Sequence, residues 1–434
     1  MRLLTLMAGL ALAVAACDSS EGQAPAAGSA AAGASAPARR PMRMPATMAE
    51  LATSDAAIAL GNVDAQILGY ERARARTPAS NDWPLRLAGL YDGRGQALGR
   101  IADYEMALAR AEEAVRLAPS DGDALLARAA ARARFHRFAE ASADLDAAAA
   151  HGASPDRVDG ARAAIWSATG REPAALAIRQ RLATAHPTLT TLGAEAMSLA
   201  ALGRVTEAEE WLAEAQARFR DVTPLALAAL YFEGGLIEER AGRPSSAREL
   251  YEAARARLPE HAQATAHLAG VMAASGQRTQ AVALLRPLVA RSDDPEYAGA
   301  LAALVGDARE AAALRAQAAR RYDALLARHP EAFADHAARF WLAAGDEPKK
   351  ALPLAERNLV LRPTAEAYQL TIAASLANGR HDHACALADR ALELPTASAA
   401  LELTAHRAYS ACARTAKAAE ALAAAGARQP RLAP

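Results

Sequence analysis

Small and apolar residues recur along this chain at the spacing of helix faces, in blocks of about 34 residues. Each block has a key alanine, most have an alanine or leucine seven residues later, and many have a proline five residues after that. The key alanines are Ala107, Ala141, Ala175, Ala208, Ala247, Ala281, Ala318, Ala351, Ala384 and Ala418. Neighbouring key alanines lie 33 to 39 residues apart. The pattern therefore predicts an array of one supersecondary unit.

The first of these blocks shows why each unit is predicted to be a pair of helices. Tyr91, Gly95 and Leu98 lie at helical spacing and share one face of a first helix. Ile101 to Asp103 are predicted to form a tight turn. The second helix has a stripe of apolar positions: Tyr104, Ala107, Ala111, Ala114 and Leu117. Pro119 is expected to end this helix, because proline cannot continue the hydrogen-bond ladder.

Glycine is predicted to end the first helix in several blocks, because it readily adopts the left-handed conformation. These glycines are Gly170, Gly203, Gly242, Gly276 and Gly379. Two blocks are longer than the others. In one, Phe219 to Pro224 extends the loop between units, and in the other Ala308 to His329 is typical of one unusually long helix.

This layout resembles the tetratricopeptide repeat, whose pattern is W-x2-L-G-x2-Y, then A-x3-F-x2-A, then P. Ten copies cover residues 88–430, and a degenerate copy with its connector covers residues 47–87. The degenerate copy has Gly61, Gln66, Tyr70, Ala73 and Pro78 in the matching places. The resemblance implies an all-α, right-handed solenoid of ten to eleven helix-turn-helix repeats. It also implies a concave groove, lined by the first helices, that binds a protein or peptide.

The resemblance also points to particular groove residues, because ligands of the family usually contact five positions of each copy. The polar or aromatic residues at these positions include Asp92, Gln96, Arg100, Arg134, Phe232, Glu239, Arg240, His336, Phe340, Glu366, Gln369 and Arg407. Other groove positions are small: Ala130, Ala164, Ala200 and Ala273. A smooth wall with a few polar features is better suited to a helix or an extended peptide than to a small anion.

Composition narrows the classes of partner. Hydrophobic residues make up 52% of the chain, most of them alanine, while aromatic residues make up only 4%. Lys+Arg and Asp+Glu balance at 49 each, and no stretch is strongly basic. Since phosphate binding needs a clustered positive field, we expect no nucleic-acid partner. No nucleotide-binding, metalloprotease or nucleophile-elbow motif occurs. We therefore expect neither a cofactor nor enzymatic activity.

The amino-terminal segment is predicted to direct the protein to a membrane. Arg2 precedes an apolar stretch from Leu3 to Val14, which is too short to span a bilayer as a permanent helix. The following Val14-Ala15-Ala16-Cys17 resembles the lipobox of bacterial lipoproteins. Residues 1–16 would then be a signal peptide. The resemblance implies that Cys17 is acylated, and two or three acyl chains anchor a protein stably.

The residues that follow Cys17 predict a flexible tether and favour one of the two bacterial membranes. Residues 17–46 are rich in Ala, Gly, Ser and Pro without apolar periodicity, which predicts a flexible linker after the lipidated cysteine. Asp18 resembles the signal that retains lipoproteins in the inner membrane. We therefore expect a lipid-anchored protein that faces the periplasm, with the inner membrane favoured over the outer.

Two cysteines remain after Cys17, in adjacent copies. Cys385 and Cys412 can form a disulfide, but two separate buried thiols are favoured, because the spacing of the cysteines does not determine their geometry. His381 and Cys385 would share a helix face, as metal ligands can. The alternative, a polar turn leading into a helix, explains the same residues without a metal. No metal site is predicted.

These features together predict a non-catalytic scaffold or adaptor that is tethered to the membrane and mediates protein–protein interactions. A cell-envelope assembly or secretion accessory factor would have the same features. A small-molecule or cell-wall processing protein would need a catalytic cluster, and the chain shows none. The sequence does not determine the partner or the oligomeric state.

Overall fold

Helices account for all the regular structure of the described residues, and no strand occurs among them. The computed structural model describes residues 52–396 and 398–429, so the predicted signal peptide, Cys17, the linker and Pro430 lie outside the described residues. The helices are α1 (Ala56–Arg76), α2 (Asp82–Leu98), α3 (Ile101–Leu117), α4 (Gly122–Arg134), α5 (Phe138–Ala150), α6 (Pro155–Ala168), α7 (Glu172–Ala185), α8 (Leu189–Ala201), α9 (Val205–Arg218), α10 (Pro224–Arg240), α11 (Pro244–Arg257), α12 (Ala262–Ala274), α13 (Arg278–Arg291), α14 (Pro295–Leu304), α15 (Ala308–Arg328), α16 (Ala334–Leu342), α17 (Pro348–Leu361), α18 (Ala365–Ala377), α19 (His381–Ala391), α20 (Ala399–Ala411) and α21 (Thr415–Arg428).

From α2 to α21 the helices form ten consecutive hairpins, and each hairpin packs against the next. The prediction of an all-α solenoid of the tetratricopeptide type is confirmed. In each hairpin the even-numbered helix is the first and the odd-numbered helix is the second. The second helix always contains the key alanine.

Helix α1 departs from the prediction of a degenerate repeat in residues 47–87. Within the described part of that range, the chain forms one continuous helix rather than a hairpin. No proline interrupts it, and its two glycines, Gly61 and Gly69, have open space where a side chain would stand. Without a turn signal or a close helix crossing, nothing divides this segment into two helices. Instead, α1 covers the exposed side of α2, as terminal helices of solenoids commonly do.

The key alanines are the points of closest approach between helices. All ten are buried, and none is more than 6% exposed. Larger side chains at these positions would push the two helices of a hairpin apart, because protein interiors have little free volume. The repeat in the sequence is therefore a repeat of close contacts.

Two glycines of first helices make similar close contacts with tyrosines. A Cβ atom at Gly95 would stand 2.9 Å from ring atoms of Tyr104, and one at Gly235 would overlap the ring of Tyr251. Tyr251 is fully buried. The predicted crossing at Gly95 is thus a contact with an aromatic ring of the second helix.

Most turns within hairpins contain one residue in the left-handed conformation. The five predicted glycines adopt it, with φ between 68° and 82°, and Gly99 does so at 63°. His136, Asp346 and Ala413 adopt it in three other hairpins. In the first hairpin the predicted turn at Ile101 to Asp103 is wrong. Gly99 ends α2 earlier, so these residues already belong to α3.

The hairpin of α14 and α15 differs from the others. Its first helix has only 10 residues and its second has 21, so the prediction of one long helix after Asp307 is confirmed. Its turn contains no left-handed residue. The Asp307 side chain instead accepts a hydrogen bond from the Glu310 backbone N–H and begins α15.

Seven of the nine loops between hairpins end on a side chain that caps the next first helix. These side chains accept hydrogen bonds from backbone N–H groups of the helix they precede, and they belong to Asp121, Thr188, Thr223, His261, Asp294, Thr364 and Ser398. A cap of the Ser, Thr or Asp type contributes ~1 kcal/mol to helix stability. The caps restart the helical pattern after these loops.

The solenoid coils until its second turn rests on its first. The Ile101 backbone N–H donates to the Asp293 carboxylate at 2.7 Å, although 192 residues separate the two. Farther along, the Arg362 guanidinium donates to the Ala168 carbonyl at 3.2 Å, and the Gln429 side chain donates to the Arg240 carbonyl at 2.8 Å. The short turns within hairpins of one winding of the solenoid thus contact the loops that connect hairpins in the next winding. We call this line of contact the seam.

A pair of glycine substitutions tests the close contacts. Gly235→Ala should lower the free energy of unfolding by about 1–3 kcal/mol, because the new methyl group overlaps the Tyr251 ring. Gly93→Ala on α2 is the matched control, because a side chain at Gly93 meets open space. The control should be neutral or stabilise by up to ~1 kcal/mol, since alanine loses less conformational entropy. Urea unfolding followed by circular dichroism measures both, and equal effects would contradict the packing described here.

Candidate functional site

The first helices face the inside of the coil, and a cavity opens there at the seam. The cavity has a volume of about 130 Å³. Its walls come from α2, α3, α4, α12, α14 and α16, together with the turns after α2 and α4 and the loops before α14 and α16. The polar side chains that line it are Gln96, Tyr104, Arg134, His136, Gln263, His267, Asp294, Glu296, Tyr297, Asp335, His336 and Arg339. Four predicted groove residues, Gln96, Arg134, His336 and the adjoining Asp92, therefore meet here.

Arg134 is held by residues of the preceding repeat. Its guanidinium donates to both carboxylate oxygens of Asp92, at 3.0 and 2.9 Å, and lies 4.9 Å from the centre of the Tyr104 ring. The Gln96 amide also donates to Asp92, at 2.7 Å. Burial works against the charged guanidinium, but Asp92 keeps the pKa of Arg134 above its ordinary value. Arg134, Gln96 and Asp92 were predicted to bind a ligand, but in the structure they form hydrogen bonds with one another.

His336 is a half-buried cation on the opposite wall. Its Nδ1 lies 3.2 Å from the Glu296 carboxylate, and its Nε2 lies 3.8 Å from Asp335. Burial opposes protonation, but these carboxylates raise the pKa of His336 to about 9. His336 therefore carries a positive charge at neutral pH.

Behind this wall, Arg362 joins three parts of the chain. Its guanidinium donates to Asp335 at 3.3 Å and to the Ala168 carbonyl, and it lies 3.5 Å from Nε2 of His136. His136 Nδ1 in turn contacts the Glu331 carbonyl at 3.1 Å. Burial and the Arg362 charge lower the pKa of His136 to about 3, so this imidazole stays neutral. The network links the two turns of the coil through groups that are shielded from water.

Asp335 has one oxygen that this network does not satisfy. Its Oδ2 accepts from Arg362, but its buried Oδ1 has no hydrogen-bond partner among the described residues. Burial would raise the pKa of Asp335, but the cations His336 and Arg362 hold it well below its ordinary value. Asp335 therefore contributes an ionised carboxylate to the cavity wall.

Other predicted groove residues lie on α10, the first helix of the fifth hairpin. Glu239 accepts hydrogen bonds from the Tyr251 hydroxyl at 2.6 Å and from His267 at 2.9 Å. Phe232 is 2% exposed and packs against the rings of Tyr251, His261 and His267. Phe232 therefore belongs to the core and presents little surface to a ligand.

The remaining predicted residues are spread over the carboxyl-terminal half. Arg240 lies 3.5 Å from Glu366, which pairs first helices of the fifth and ninth hairpins across the inside of the coil. Phe340 is buried against Tyr322 and Trp341. The sites of the others are as follows: Arg100 precedes α3, half-buried Gln369 lies on α18, and exposed Arg407 lies on α20.

Several cavity residues had no signal in the repeat pattern. Asp294, Glu296 and Arg339 occupy no predicted groove position, and Arg362 lies in a loop between hairpins. They meet the first and second hairpins only because the coil closes on itself. A pattern with a period of about 34 residues contains no information about contacts between residues about 190 apart.

Cys385 and Cys412 form a disulfide between the ninth and tenth hairpins, with their Cα atoms 6.7 Å apart. Cys385 is buried in α19, and Cys412 ends α20. Of the two alternatives that the spacing left open, the structure therefore contains the bonded form. His381 begins α19 at an exposed position.

Two other features, a metal-binding cluster and a membrane-spanning helix, are absent from the described residues. No group of three or more His, Cys, Asp or Glu side chains there is arranged to hold a metal ion. None of the described helices combines the length and apolar character that crossing a membrane requires.

Comparison with known proteins identifies part of the array. Residues 240–304, from the end of α10 to the end of α14, match the sequence model of the tetratricopeptide repeat. This part of the chain is similar in sequence to tetratricopeptide repeats. The hairpins on either side have the same helix order and the same buried key alanines. No curated protein matches the sequence.

Solved structures with helical arrays resemble the chain at low identity. The Naa15/Naa10 complex bound to HypK-THB is 15% identical, with a TM-score of 0.29. The match covers 84% of this chain and 60% of the other, so this chain spans less than two thirds of the length of that protein. The APC/C hetero-tetramer Cut9-Hcn1 is 12% identical with a TM-score of 0.39, covering 86% and 92%. Yeast Tom70 is 14% identical with a TM-score of 0.33, covering 86% and 93%. Nothing about the function of this protein follows from these partial superpositions.

The role of Arg362 at the seam can be tested by substitution. Arg362→Met should lower the free energy of unfolding by roughly 3 kcal/mol, because it removes one partner of a buried ion pair and leaves Asp335 undercompensated. It should also enlarge the radius of gyration in solution scattering, because the two turns lose their buried link. Arg357→Gln on the exposed face of α17 is the control and should change neither quantity. An Arg362→Met variant with unchanged stability and dimensions would contradict this role.

Proposed function

We propose that this protein is a non-catalytic scaffold that holds a protein or peptide partner against the inner face of its coil. The inner face supports the proposal. At the positions that hairpin packing leaves half exposed, it presents small residues, such as Ala130, Ala164 and Ala273, and polar ones such as Gln369. A preformed wall of this kind binds with little ordering cost to the scaffold itself.

The chemistry of the inner face favours an extended peptide or a helix as partner. Small side chains let a partner backbone approach closely, and side chains such as Gln369 and Arg407 can donate hydrogen bonds to it. The strongest charges of the inner face offset one another, as Arg134 does with Asp92 and Arg240 with Glu366. A partner held mainly by net charge is therefore not favoured.

We further propose that the scaffold is lipid-anchored through Cys17 and faces the periplasm, with the inner membrane as the favoured membrane. The lipobox-like Val14 to Cys17 and the following Asp18 support this proposal. The disulfide between Cys385 and Cys412 fits the same location, since disulfides persist in oxidising compartments. The linker of residues 17–46 would let the array stand off the membrane. A role in envelope assembly or secretion would use the same architecture.

Site-specific crosslinking tests the inner face as the partner surface. A photoreactive p-benzoylphenylalanine placed at Gln369 should yield a discrete protein or peptide adduct in intact cells. The same probe placed at Arg357, on the outer face of α17, is the matched control and should yield none. Adducts from both positions, or from Arg357 alone, would contradict the inner-face proposal. Mass spectrometry of the adduct identifies the partner.

Palmitate labelling tests the anchor. Cys17→Ser should abolish incorporation of labelled palmitate and move the protein from the membrane pellet to the soluble fraction, because the acylated sulfur is lost. A double variant with Cys385→Ser and Cys412→Ser is the control, because it removes the other cysteines and should keep the label. Labelling that persists in Cys17→Ser would rule out this anchor.

A further inference from the structure

The seam cavity is lined by one acidic and one basic side chain that have no ion-pair partner among the described residues. The Asp294 carboxylate accepts the Glu296 backbone N–H at 2.9 Å as the cap of α14, but no Lys, Arg or His nitrogen of the described residues lies within 4.0 Å of it. The Arg339 guanidinium on α16 makes no hydrogen bond or ion pair with any described residue. Both side chains line the cavity. Asp294 and Arg339 do not pair with each other, so both side chains can interact with a bound ligand.

The other charges of the cavity are already engaged. His336 is held by Glu296 and Asp335, and Arg134 is held by both oxygens of Asp92. Burial, followed by the repulsion of Glu296, raises the pKa of Asp294 to about 7. A positive group beside Asp294 would relieve this repulsion. Asp335, whose carboxylate is deeply buried, lines the same cavity and adds a second negative charge to its wall.

We propose that the seam cavity is a binding site for a small zwitterion of the α-amino-acid class. Its ammonium group would lie against Asp294, and its carboxylate would receive the forked donors of Arg339. The volume of about 130 Å³ admits a small amino acid, since one water needs only about 10–15 Å³ of comparable space. Residues of the first, second and sixth to eighth hairpins line the site. A bound ligand therefore reinforces the seam.

This site is separate from the inner face proposed to hold a protein partner. It depends on charges in an enclosed cavity, whereas the inner face of the ninth and tenth hairpins is lined by Gln369 and Arg407. The two proposals can therefore fail independently. Loss of the Gln369 adduct would leave this site untouched, and absence of amino-acid binding would leave the scaffold proposal untouched.

The test is titration calorimetry with the purified full-length chain, with glycine, L-alanine and L-serine as probes. At least one of these probes should bind with one-to-one stoichiometry at micromolar to millimolar concentrations and raise the unfolding temperature. Methylammonium and acetate, which carry one charge each, should bind at least about tenfold more weakly, because each leaves a charged partner unmet. Triglycine separates its charges too widely for the cavity and should not bind.

Two nearly isosteric substitutions assign the charges. Asp294→Asn keeps the helix cap, because asparagine also accepts the backbone hydrogen bond, and removes the negative charge. Arg339→Gln removes the positive charge. Each should weaken binding by about 10- to 100-fold. The matched controls are Asp307→Asn, at the exposed cap of α15, and Arg357→Gln, at an exposed position of α17; both should bind like the unaltered protein.

Three results would overturn the assignment. One is the absence of binding by all three amino acids at millimolar concentrations. Another is binding that both Asp294→Asn and Arg339→Gln leave unchanged while circular dichroism shows them folded. The third is binding of triglycine or of methylammonium as tight as that of the amino acids, which would show that the site does not recognise two opposite charges on one small molecule.

Discussion

Close approach of helices across small buried side chains is the constraint on which this structure depends. An alanine buries little apolar surface, so each contact contributes modestly to stability. The contacts recur in ten successive hairpins, and each hairpin contacts mainly its neighbours along the chain. Stability of such an array is the sum of many small, similar terms. Tyrosines such as Tyr251 add larger buried surfaces where a glycine makes room for the ring.

Contacts across the seam join hairpins that are far apart along the chain. Arg362, Asp293 and Gln429 each bind groups almost half the chain away. Carbonyl and N–H groups at the ends of helices are the natural partners, since a helix leaves them without bonds of its own. Contacts of this sequence separation carry a larger loop-closure entropy than contacts within hairpins. The seam is therefore expected to form after the hairpins have folded.

Closure of the coil also decides which polar groups are available for function. Residues that an open groove would present, such as Arg134 and Glu239, are used inside the structure by Asp92 and by Tyr251 with His267. What stays available is the smooth inner wall and a few charged groups in the seam cavity. The proposed scaffold and the proposed zwitterion site thus draw on different parts of one architecture, the first on small residues and the second on Asp294 and Arg339.

The residues alone determined the helical pairs, their number and most of their turns. The key alanines, the left-handed glycines and the long helix after Asp307 are local signals, and local signals depend only on neighbouring residues. Tertiary structure alone decided that Phe232 and Phe340 are buried, and that Asp294, His336 and Arg134 share a cavity. These outcomes depend on how much each hairpin rotates relative to the last. Small rotations add up over six hairpins to place one edge of the coil on the other, and no repeat pattern encodes that sum.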